Sequence, residues 1–590
     1  MILAVSIILS FIAVRGFRFN LTADGLALGN TESFAWLLLF FFFLRVLYLT
    51  FTEKDRARII TAGLFGLIIG IFYTLGLSFE KRGNLTWIMG SASYLVNYLN
   101  LFFSNLVLYY CFAYQSFRFI AKASVYKADR HKRLFSFKTV LLVWLGFMVF
   151  YIPWYLFNYP GIITLDTLDQ LKQAADISPL NDHHPVLLTL LMRAVILPVE
   201  KMTGSIQAGV GICSFLQMAV LTFVFALTYE RILYYVNNRT LRALIFLAFA
   251  IYPVNSMYSV TLWKDILFSA CLLLLLLCVD FIAEDAPAFL ENKKNCFLLC
   301  LVLLLLLLTR HNGIVIVLAM TLVFVFAYPV YRKRLLCVCL GSLLLWAAFQ
   351  YLLLPALRVT KLDSGLMLSL PNQQIARTLY YHNEEFTEDE LEKINSYYTV
   401  PEVWRYYRPK LSDAVKDRFI SERYEENRGE FLSLWMRLGL RYPGDYLEAF
   451  LHNCYGYWFP ETNYWITATG VEAGAKEIGI SSAPILQSAV ISRIYNFQME
   501  QKFNKIPVLA LFFKPGACWW VWMFCACLCL YRNKRKLILF VPGLMLWLPI
   551  LFSPVYCEFR YVYGLFICLP LLLASTLTVR QADNAKNKTA

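Results

Sequence analysis

Residues 34–51 read FAWLLLFFFFLRVLYLTF, an apolar run whose one charged side chain is Arg45. Similar runs recur, such as CLLLLLLCVDFI at 271–282 and CFLLCLVLLLLLL at 296–308. About 20 apolar residues suffice for a helix to cross a bilayer. The 590-residue chain is 59% hydrophobic and only 16% charged, whereas soluble domains are roughly 45–50% apolar and about 25% charged. The composition therefore predicts an all-α polytopic membrane protein.

Hydropathy predicts about 14 spans, at residues 1–14, 34–50, 58–78, 95–115, 138–157, 206–229, 242–259, 262–283, 296–309, 313–330, 334–355, 506–531, 537–552 and 561–579. The first of them lacks the basic region and the small-residue cleavage site of a signal peptide. It is therefore predicted to be a span.

The apolar stretch HPVLLTLLMRAVILPVEKM, at 184–202, is predicted to lie in the membrane interface. Its polar residues share one helical face, which is typical of interfacial helices: Asp182, Thr189, Arg193 and Glu200. Pro185 suits a first turn capped by Asn181 or Asp182, and Pro198 is expected to end the helix early.

The net charge of +15 is distributed as in a membrane protein and does not indicate a nucleic-acid partner. Lys and Arg cluster in short loops between spans, the pattern of cytoplasmic loops. If 184–202 does not cross, these basic loops fall on one side. The sequence thus predicts a multi-pass cell-membrane protein with both termini in the cytoplasm and its polar interruptions on the exterior face.

The fifteen cysteines carry little functional signal, because most lie within predicted spans and lack zinc-site spacing. Cys454 and Cys557 fall in predicted exterior segments, where a disulfide is one reading. Unpaired small hydrophobic residues are the favoured one.

The stretch YPGIITLDTLDQLKQAADISPLNDHHPVLLTLLMR, at 159–193, concentrates acids and histidines between apolar runs. Its leucines are spaced for a short helix, whose other face carries Asp166, Asp169, Gln170 and Gln173. Asp166 is open to two readings, a helix cap and a catalytic base, and Asp169 is favoured as structural. Adjacent histidines cannot both enter one small site from a regular helix, so at most one of His183 and His184 is expected to be functional.

A divalent cation is a further reading of this stretch. Carboxylate and imidazole ligands suit Mn²⁺ or Zn²⁺, so Asp166, Asp182 and one histidine could hold a metal. No recognised ligand spacing supports this, and no cofactor is otherwise predicted.

Cations enter the same predicted face from three separate loops, as Lys264, Arg310 and Arg560. Snorkelling at helix ends is the ordinary role of such residues. A carboxylate opposite several cations, however, suits transfer from a phosphate leaving group, with the carboxylate as base and the cations neutralising the departing phosphate. The exterior offers no nucleotide donor, and the chain has no P-loop. A sugar carried on a polyprenyl phosphate in the membrane is therefore the expected donor.

Several motifs resemble the GT-C superfamily of membrane glycosyltransferases, and more closely a largely uncharacterised bacterial GT-C-like family. They are YPGIITLDTLDQ, NDHHPVLLTLL, LWKDILF, TRHNG, LPNQQIARTLYYH, YRPKLSDAVKDRF, YPGDYLEAFLHNCYGYWFPE and EFRYVYGL. The resemblance covers about residues 138–579. It implies that Asp166, by its place after YPGIITL, is the acidic residue of the first exterior loop that serves as catalytic base or metal ligand. The chain lacks the paired Asp-Glu or Asp-x-Asp motif of some GT-C branches.

With this resemblance the chain divides into a four-span addition (1–130), a GT-C-like core (131–357) with an exterior catalytic loop (158–205), an exterior helical domain (358–505), and C-terminal spans with a cytoplasmic tail (506–590). The candidate catalytic residue is Asp166, and the candidate phosphate-binding residues are Lys264, Arg310 and Arg560. The candidate substrate-binding residues are Asp169, Gln170, Gln173, His183, His184, Trp263, Asp265, His311, Gln373, Gln374, Arg377, Glu558 and Tyr561.

The expected function is transfer of a sugar or glycan from a polyprenyl-phosphate carrier to a cell-envelope glycan, lipid or protein. Two other readings remain open, a flippase of a lipid-linked glycan and a non-catalytic assembly protein. Transporters usually place ionisable residues at mid-membrane and show internal repeats, and neither is evident here. A ligase or polymerase of a cell-wall or teichoic-type polymer would have much the same sequence features.

Overall fold

The structure, a computed structural model, describes residues 1–23, 32–53, 55–86, 90–122, 135–361, 364–462 and 464–577. Within these ranges the chain is helical, and extended segments pair only through isolated bridges. The first helices are α1 (Ile2–Ala23), α2 (Glu32–Thr52), α3 (Arg56–Arg82), α4 (Ala92–Lys122), α5 (Phe137–Phe157), α6 (Leu165–Ala174), α7 (Val186–Thr203), α8 (Ile206–Tyr235), α9 (Arg239–Ile251) and α10 (Pro253–Ser259).

The middle of the chain continues with α11 (Lys264–Glu284), α12 (Ala286–Leu290), α13 (Lys293–Thr309), α14 (Gly313–Ala327), α15 (Arg332–Ala348), α16 (Leu354–Ala356), α17 (Ser369–His382), α18 (Glu388–Asn395), α19 (Asp413–Lys416), α20 (Ser421–Glu426), α21 (Arg428–Arg441) and α22 (Pro443–Cys454). The last helices are α23 (Ala489–Met499), α24 (Pro507–Ala510), α25 (Pro515–Arg532), α26 (Val541–Ile550) and α27 (Phe559–Leu577).

Seven helices of the described residues are long and apolar enough to cross a membrane. They are Arg56–Arg82, Tyr94–Ala121, Phe137–Phe157, Ile206–Tyr235, Lys264–Glu284, Pro329–Ala356 and Phe559–Leu577. Each coincides with a span predicted from hydropathy. The number is up to nine if each of two bent helix pairs is one span, with a 45° bend between α9 and α10 and an 86° bend before α25. The chain is therefore an all-α polytopic membrane protein.

Fewer described helices than the predicted fourteen or so meet this length and composition, in part because some apolar runs form short helices. Helix α13 has 17 residues and α14 has 15, whereas α1 and α2 have 22 and 21. At about 1.5 Å per residue, helices as short as α13 and α14 do not reach across a hydrocarbon core about 30 Å thick. Hydropathy detects an apolar run but not the turn that ends the helix formed by that run.

Helix α7 differs from the expectation for its ends. It passes through Pro198 and ends at Thr203, where Gly204 adopts a left-handed conformation with φ of 70°. Its N-cap is Pro185, without a side-chain cap. Asn181, proposed as a cap, instead accepts a hydrogen bond from the backbone N–H of His183. A proline removes one backbone donor, and the tertiary packing of α7 against α8 offsets that loss.

Residues 368–446 of the long polar segment form a second hydrophobic core, whereas the later part of that segment packs into the main core. The second core joins α17 to helices α21 and α22 through buried apolar side chains, among them Ile375, Leu379, Phe431 and Leu438. Within it, Thr387 and Glu390 form a capping box at the start of α18.

The four N-terminal helices pack against the rest of the chain. The backbone N–H of Leu85 donates to Glu448 Oε1 at 2.8 Å, and the Tyr455 hydroxyl donates to Glu80 Oε2 at 2.7 Å. Arg58 reaches the hydroxyl of Tyr531 on α25. Lys54, residues 123–134 and the tail after 577, which carry part of the predicted cytoplasmic charge, lie outside the described residues.

All fifteen cysteines are unpaired, including Cys454 and Cys557, as the favoured reading predicted.

Candidate functional site

A short extended segment places the start of α6 beside the start of α11. The backbone N–H of Ile162 donates to the carbonyl of Val260 at 2.9 Å, and that of Ile163 donates to the carbonyl of Gly470 at 3.1 Å. Pairing on both sides fixes the chain just before Thr164, the N-cap residue of α6. Consequently the first turns of α6 and α11 lie next to each other.

Thr164 and Trp263 lock this arrangement. The indole Nε1 of Trp263 donates to Thr164 Oγ1 at 2.7 Å, and Trp263 is itself buried. A buried indole N–H normally has a partner, and here that partner precedes the catalytic candidate by two residues. Thr164 could not be predicted as a site residue, since a lone threonine before a helix indicates only a cap.

Asp166 occupies the first turn of α6 and forms an ion pair. Its Oδ2 accepts a hydrogen bond from Arg560 Nη1 at 2.8 Å. Burial alone would raise the pKa of Asp166, but Arg560, Lys264 and His184 together lower it to about 2. The side chain does not cap its helix, so the cap reading of Asp166 does not hold.

Lys264 meets a histidine. Its Nζ lies 2.7 Å from His184 Nδ1. Burial and the neighbouring Lys264 lower the pKa of His184 to about 3, so the imidazole is neutral at pH 7 and can accept a hydrogen bond from the ammonium. No carboxylate pairs with Lys264 in the part of the chain that the structure describes, which leaves its positive charge available to an anion.

Arg310 pairs with Asp265 and stacks on an aromatic ring. Its Nη1 lies 2.9 Å from Asp265 Oδ1, and Asp265 is 1% exposed. The Arg310 guanidinium also lies 4.9 Å from the ring centre of Tyr561. The Arg560 guanidinium lies 5.2 Å from the same ring centre. Tyr561 therefore holds the two guanidinium groups near each other.

Both His183 and His184 lie next to this group of charges, and the prediction that at most one of them is functional stays a prediction. They precede α7 in irregular backbone, so helical geometry does not force them apart. Their ring centres are 4.6 Å apart and the planes are nearly perpendicular. Burial is the largest cause that lowers the pKa of His183. The positive charge of Lys264 lowers it further, and the negative charges of Asp169 and Asp166 oppose the shift.

His311 faces a second acid at the edge of the site. Its Nε2 lies 3.8 Å from Asp182 Oδ1. Burial lowers the pKa of His311 and raises that of Asp182, so both groups are shifted towards their neutral forms.

Gln170 and Gln173 are buried and connect α6 to its neighbours. Gln170 Nε2 donates to Thr189 Oγ1 at 3.2 Å. Gln173 Nε2 donates to Asp169 Oδ2 at 3.3 Å, and its Oε1 accepts from the backbone N–H of Asn181 at 3.0 Å. Their observed partners are protein groups that orient α6.

Gln373, Gln374 and Arg377 lie in the second core rather than in the charged group around Asp166. Arg377 forms ion pairs with Glu448 and, at 3.4 Å, with Asp445. Gln374 Nε2 donates to the carbonyl of Tyr446 at 3.1 Å, and Gln373 Nε2 donates to that of Arg408 at 2.5 Å. Their present contacts stabilise the polar segment.

A group of aromatic residues at 455–465, whose composition is consistent with an interfacial belt or a sugar-binding wall, is largely buried in the core. Tyr455, Tyr457 and Trp458 are each 2% exposed or less. Trp465 packs on Trp263, with the ring centres 5.6 Å apart. Trp465 therefore supports Trp263, which in turn holds Thr164 at the start of α6.

The structure adds Lys416 and Asp413 of α19 to the surroundings of the site. The positive charge of Lys416 lowers the pKa of His183, and the negative charge of Asp413 raises that of Glu558. The motif YRPKLSDAVKDRF contains both residues, but nothing in its spacing indicated which part of the chain it faces.

In the described ranges, no three His, Cys, Asp or Glu side chains converge as a metal would require. Asp166 pairs with Arg560, whereas Asp182 faces His311. The metal reading of Asp166, Asp182 and a histidine therefore has no support in the geometry.

Comparison with known proteins shows the family to which the chain is similar. A model described as a family of unknown function, DUF6020, matches residues 174–590. No curated protein and no solved structure matches the chain. The match begins after Asp166 and includes Lys264, Arg310, Glu558 and Arg560.

Proposed function

The chain belongs to the DUF6020 family, and we propose that it is a membrane glycosyltransferase. It would move a sugar or glycan from a polyprenyl-phosphate carrier to a cell-envelope acceptor on the exterior face. The observation that carries the proposal is the ion pair of Asp166 with Arg560, with Lys264 acting on the same carboxylate and Arg310 sharing the ring of Tyr561 with Arg560. The three cations come from three separate segments. A single surface ion pair would not need cations from so many parts of the chain.

The helix directions favour an anion at the same place. Helices α6, α11 and α27 begin at Leu165, Lys264 and Phe559, directly beside the charged residues. A helix N-terminus carries a partial positive charge and free backbone N–H groups, both of which favour phosphate. These helix ends add to the side-chain cations in stabilising a departing phosphate.

Asp166 is the base of the proposed reaction, and its partner explains how it becomes available. In the structure Arg560 neutralises Asp166, which makes the carboxylate a weak base. A donor phosphate competes for the same guanidinium, since Arg binds phosphate as readily as carboxylate. Once Arg560 turns to the phosphate, burial raises the proton affinity of Asp166. The carboxylate then accepts the proton of the acceptor hydroxyl.

The proposed topology puts this site outside the cell and both termini in the cytoplasm, in a GT-C-like arrangement. Helix α7 lies flat in the interface in this topology. Arg193, Glu200 and Lys201 support that placement, because three charges make its 18 residues a poor span. The Arg193–Asp176 ion pair, with 2.6 Å between Nη2 and Oδ2, satisfies one of these charges at the polar edge.

The test is transfer by purified protein in lipid nanodiscs containing a polyprenyl-phosphate-linked hexose and crude cell-envelope acceptors. Release of free polyprenyl phosphate that requires the protein and an acceptor would support the proposal. In a deletion strain, we expect a missing surface glycan and accumulated donor on the exterior leaflet. Donor stranded on the cytoplasmic leaflet would identify a flippase instead, and loss of a long polymer with its monomer intact would identify a polymerase or ligase.

A further inference from the structure

Glu558 is held in place by its backbone. Its N–H donates to the hydroxyl of Tyr457 at 3.0 Å, and that hydroxyl donates to the carbonyl of Val555 at 2.8 Å. Just before it, the carbonyl of Pro554 accepts from the backbone N–H of Ser412 in the polar segment. These hydrogen bonds fix the backbone of Glu558, from which its carboxyl extends.

The carboxyl of Glu558 is buried and incompletely satisfied. The residue is 4% exposed, and its Oε1 has no hydrogen-bond partner among the described residues. The nearest cation is Arg560, whose Nε lies 3.5 Å from Oε1 but is not aligned as a donor. An unsatisfied carboxylate oxygen in a buried position is costly, because the group loses its hydration without gaining a partner. The structure tolerates this cost beside the cation that we assign to phosphate binding.

Several ionisable groups face Glu558. They are Arg560, Asp166, Asp265, Asp413, Tyr258, Tyr464, Tyr561 and Cys557. Burial is the largest influence and raises the pKa of Glu558, Arg560 opposes it, and the three aspartates raise it further, to about 7. Glu558 and Asp166 are therefore two carboxyl groups around one arginine whose environments favour opposite protonation states, a pattern that assigns an acid and a base.

We infer that Glu558 is the general acid that protonates the departing lipid phosphate, an assignment that rests on the proposed transferase function. Arg560 bridges the two carboxyl groups: Asp166 through Nη1 and Glu558 on the Nε side. A phosphate bound to this guanidinium comes within reach of Glu558. A neutral carboxyl is also the form of Glu558 that does not repel an anion there.

The step balances in atoms and charge. The acceptor oxygen forms a bond to the anomeric carbon as the bond from that carbon to the phosphate oxygen breaks, and its electron pair stays on that oxygen. Asp166 takes the acceptor proton, and Glu558 gives its own proton to the phosphate oxygen. Without that proton, the carrier phosphate would leave as a dianion, because the second pKa of a phosphate monoester is near 6. Proton return from Asp166 to Glu558 through water resets the site.

The product lipid tests this assignment without knowledge of the sugar or the acceptor. We would measure binding of undecaprenyl phosphate to the full chain in zwitterionic nanodiscs between pH 6 and 8.5. A site that needs neutral Glu558 loses affinity as the carboxyl ionises. We expect wild-type Kd to rise up to tenfold per pH unit above about 7 relative to Glu558→Gln, whose amide stays neutral. Glu500→Gln makes the same change at an exposed residue paired with Lys502 and should behave as wild type.

Each result has one meaning. Equal pH dependence in wild type and Glu558→Gln overturns the role of Glu558 and leaves the transferase proposal standing. Absence of saturable binding in every variant at every pH overturns both, because the donor class is then wrong. The expected binding pattern without any sugar transfer supports the phosphate contact of Glu558 and overturns the transferase function. If Glu558→Gln does not fold, Glu558→Asp retains the acid and should keep the wild-type pH dependence.

Discussion

The Oδ2 of Asp166 lies 2.8 Å from the Nη1 of Arg560, although 394 positions separate the two residues in sequence. The pair joins the first turn of α6 to the first turn of α27. An anion that binds Arg560 must therefore compete with Asp166. Binding of the proposed donor and release of the proposed base are then a single event.

Asp166→Asn is expected to leave a folded protein that transfers almost no sugar. Asparagine keeps the shape of the side chain and cannot accept the acceptor proton. Loss of a general base typically lowers the rate by about 10²–10⁴. Turnover of a labelled polyprenyl-phosphate hexose, with thermal unfolding measured in parallel, checks both halves of the expectation.

Asp169→Asn is the matched control, on the same helix and with the same change of charge. Asp169 accepts a hydrogen bond from Gln173 at 3.3 Å, which an asparagine oxygen can also accept. Transfer should stay within a few-fold of wild type. Normal turnover by Asp166→Asn would remove Asp166 from the chemistry and leave its ion pair with Arg560 as a structural contact.

Lys264→Met should reduce turnover by about 10²–10³, the usual effect of losing an oriented charge at a developing anion. Its neighbour His184 is neutral at pH 7, so removal of the ammonium leaves no unpaired charge there. The protein should unfold at nearly the wild-type temperature. Measurement of kcat and KM at saturating acceptor tests this, and unchanged values would mean that Lys264 only snorkels.

Arg310 should behave differently, because its partner Asp265 is 1% exposed. Arg310→Ala leaves a buried carboxylate without its cation, a change that typically destabilises by about 3–5 kcal/mol. Arg310→Lys keeps the charge and loses the stacking on Tyr561. We expect lower stability from the alanine variant and lower turnover with near-normal stability from the lysine variant. Thermal unfolding and transfer assays on both variants separate the two effects.

The sequence predicted the spans where apolar runs are long and uninterrupted. Lys264–Glu284 and Phe559–Leu577 match their hydropathy segments closely. The sequence predicted too many spans where an apolar run ends in a turn, as at Ala327. It also placed the end of α7 at Pro198, because local propensity disfavours a proline inside a helix. Packing between α7 and α8, which no single-sequence pattern encodes, decides that case.

For the site, residue type and loop position predicted which side chains would meet. Lys264, Arg310 and Arg560 do come together near Asp166. The pairing could not be read from the sequence, since nothing in the spacing relates Asp166 to Arg560 or Arg310 to Asp265. For the same reason, the sequence could not decide whether Gln170 and Gln173 bind substrate or connect helices. Polar residues on one face of a short helix indicate a site and a helix–helix contact equally well, and Gln170 contacts Thr189.

The topology proposal predicts which residues a membrane-impermeant thiol reagent reaches in intact cells. Single cysteines at Asp176 and Glu388, both exposed, should be labelled from outside. Single cysteines at Ser205 and Arg332 should react only after permeabilisation. Cys337 is exposed and must first be replaced. Labelling of position 332 from outside would contradict the interfacial placement of α7 and divide the polar loops between the two faces.

Stability should depend on pH through Glu558, whose pKa in the folded protein is about 7, raised from the ordinary 4.5 by burial. Between pH 4.5 and 7 the folded state binds more protons here than the unfolded state. The contribution of this residue to the free energy of unfolding therefore falls as pH rises through that range, by on the order of 3 kcal/mol, and is constant above it.

Glu558→Gln lacks this titration, so its unfolding temperature minus that of wild type should increase from pH 5 to about 7.5 and then level off. The difference between the two proteins cancels the opposite trend from His184, whose lowered pKa makes stability rise with pH between about 3 and 6.5. Thermal unfolding of both proteins in one detergent across this range gives the comparison. A difference that does not vary with pH would mean that Glu558 titrates at its ordinary pKa, and with it the reason to regard the residue as an acid at pH 7 would be lost.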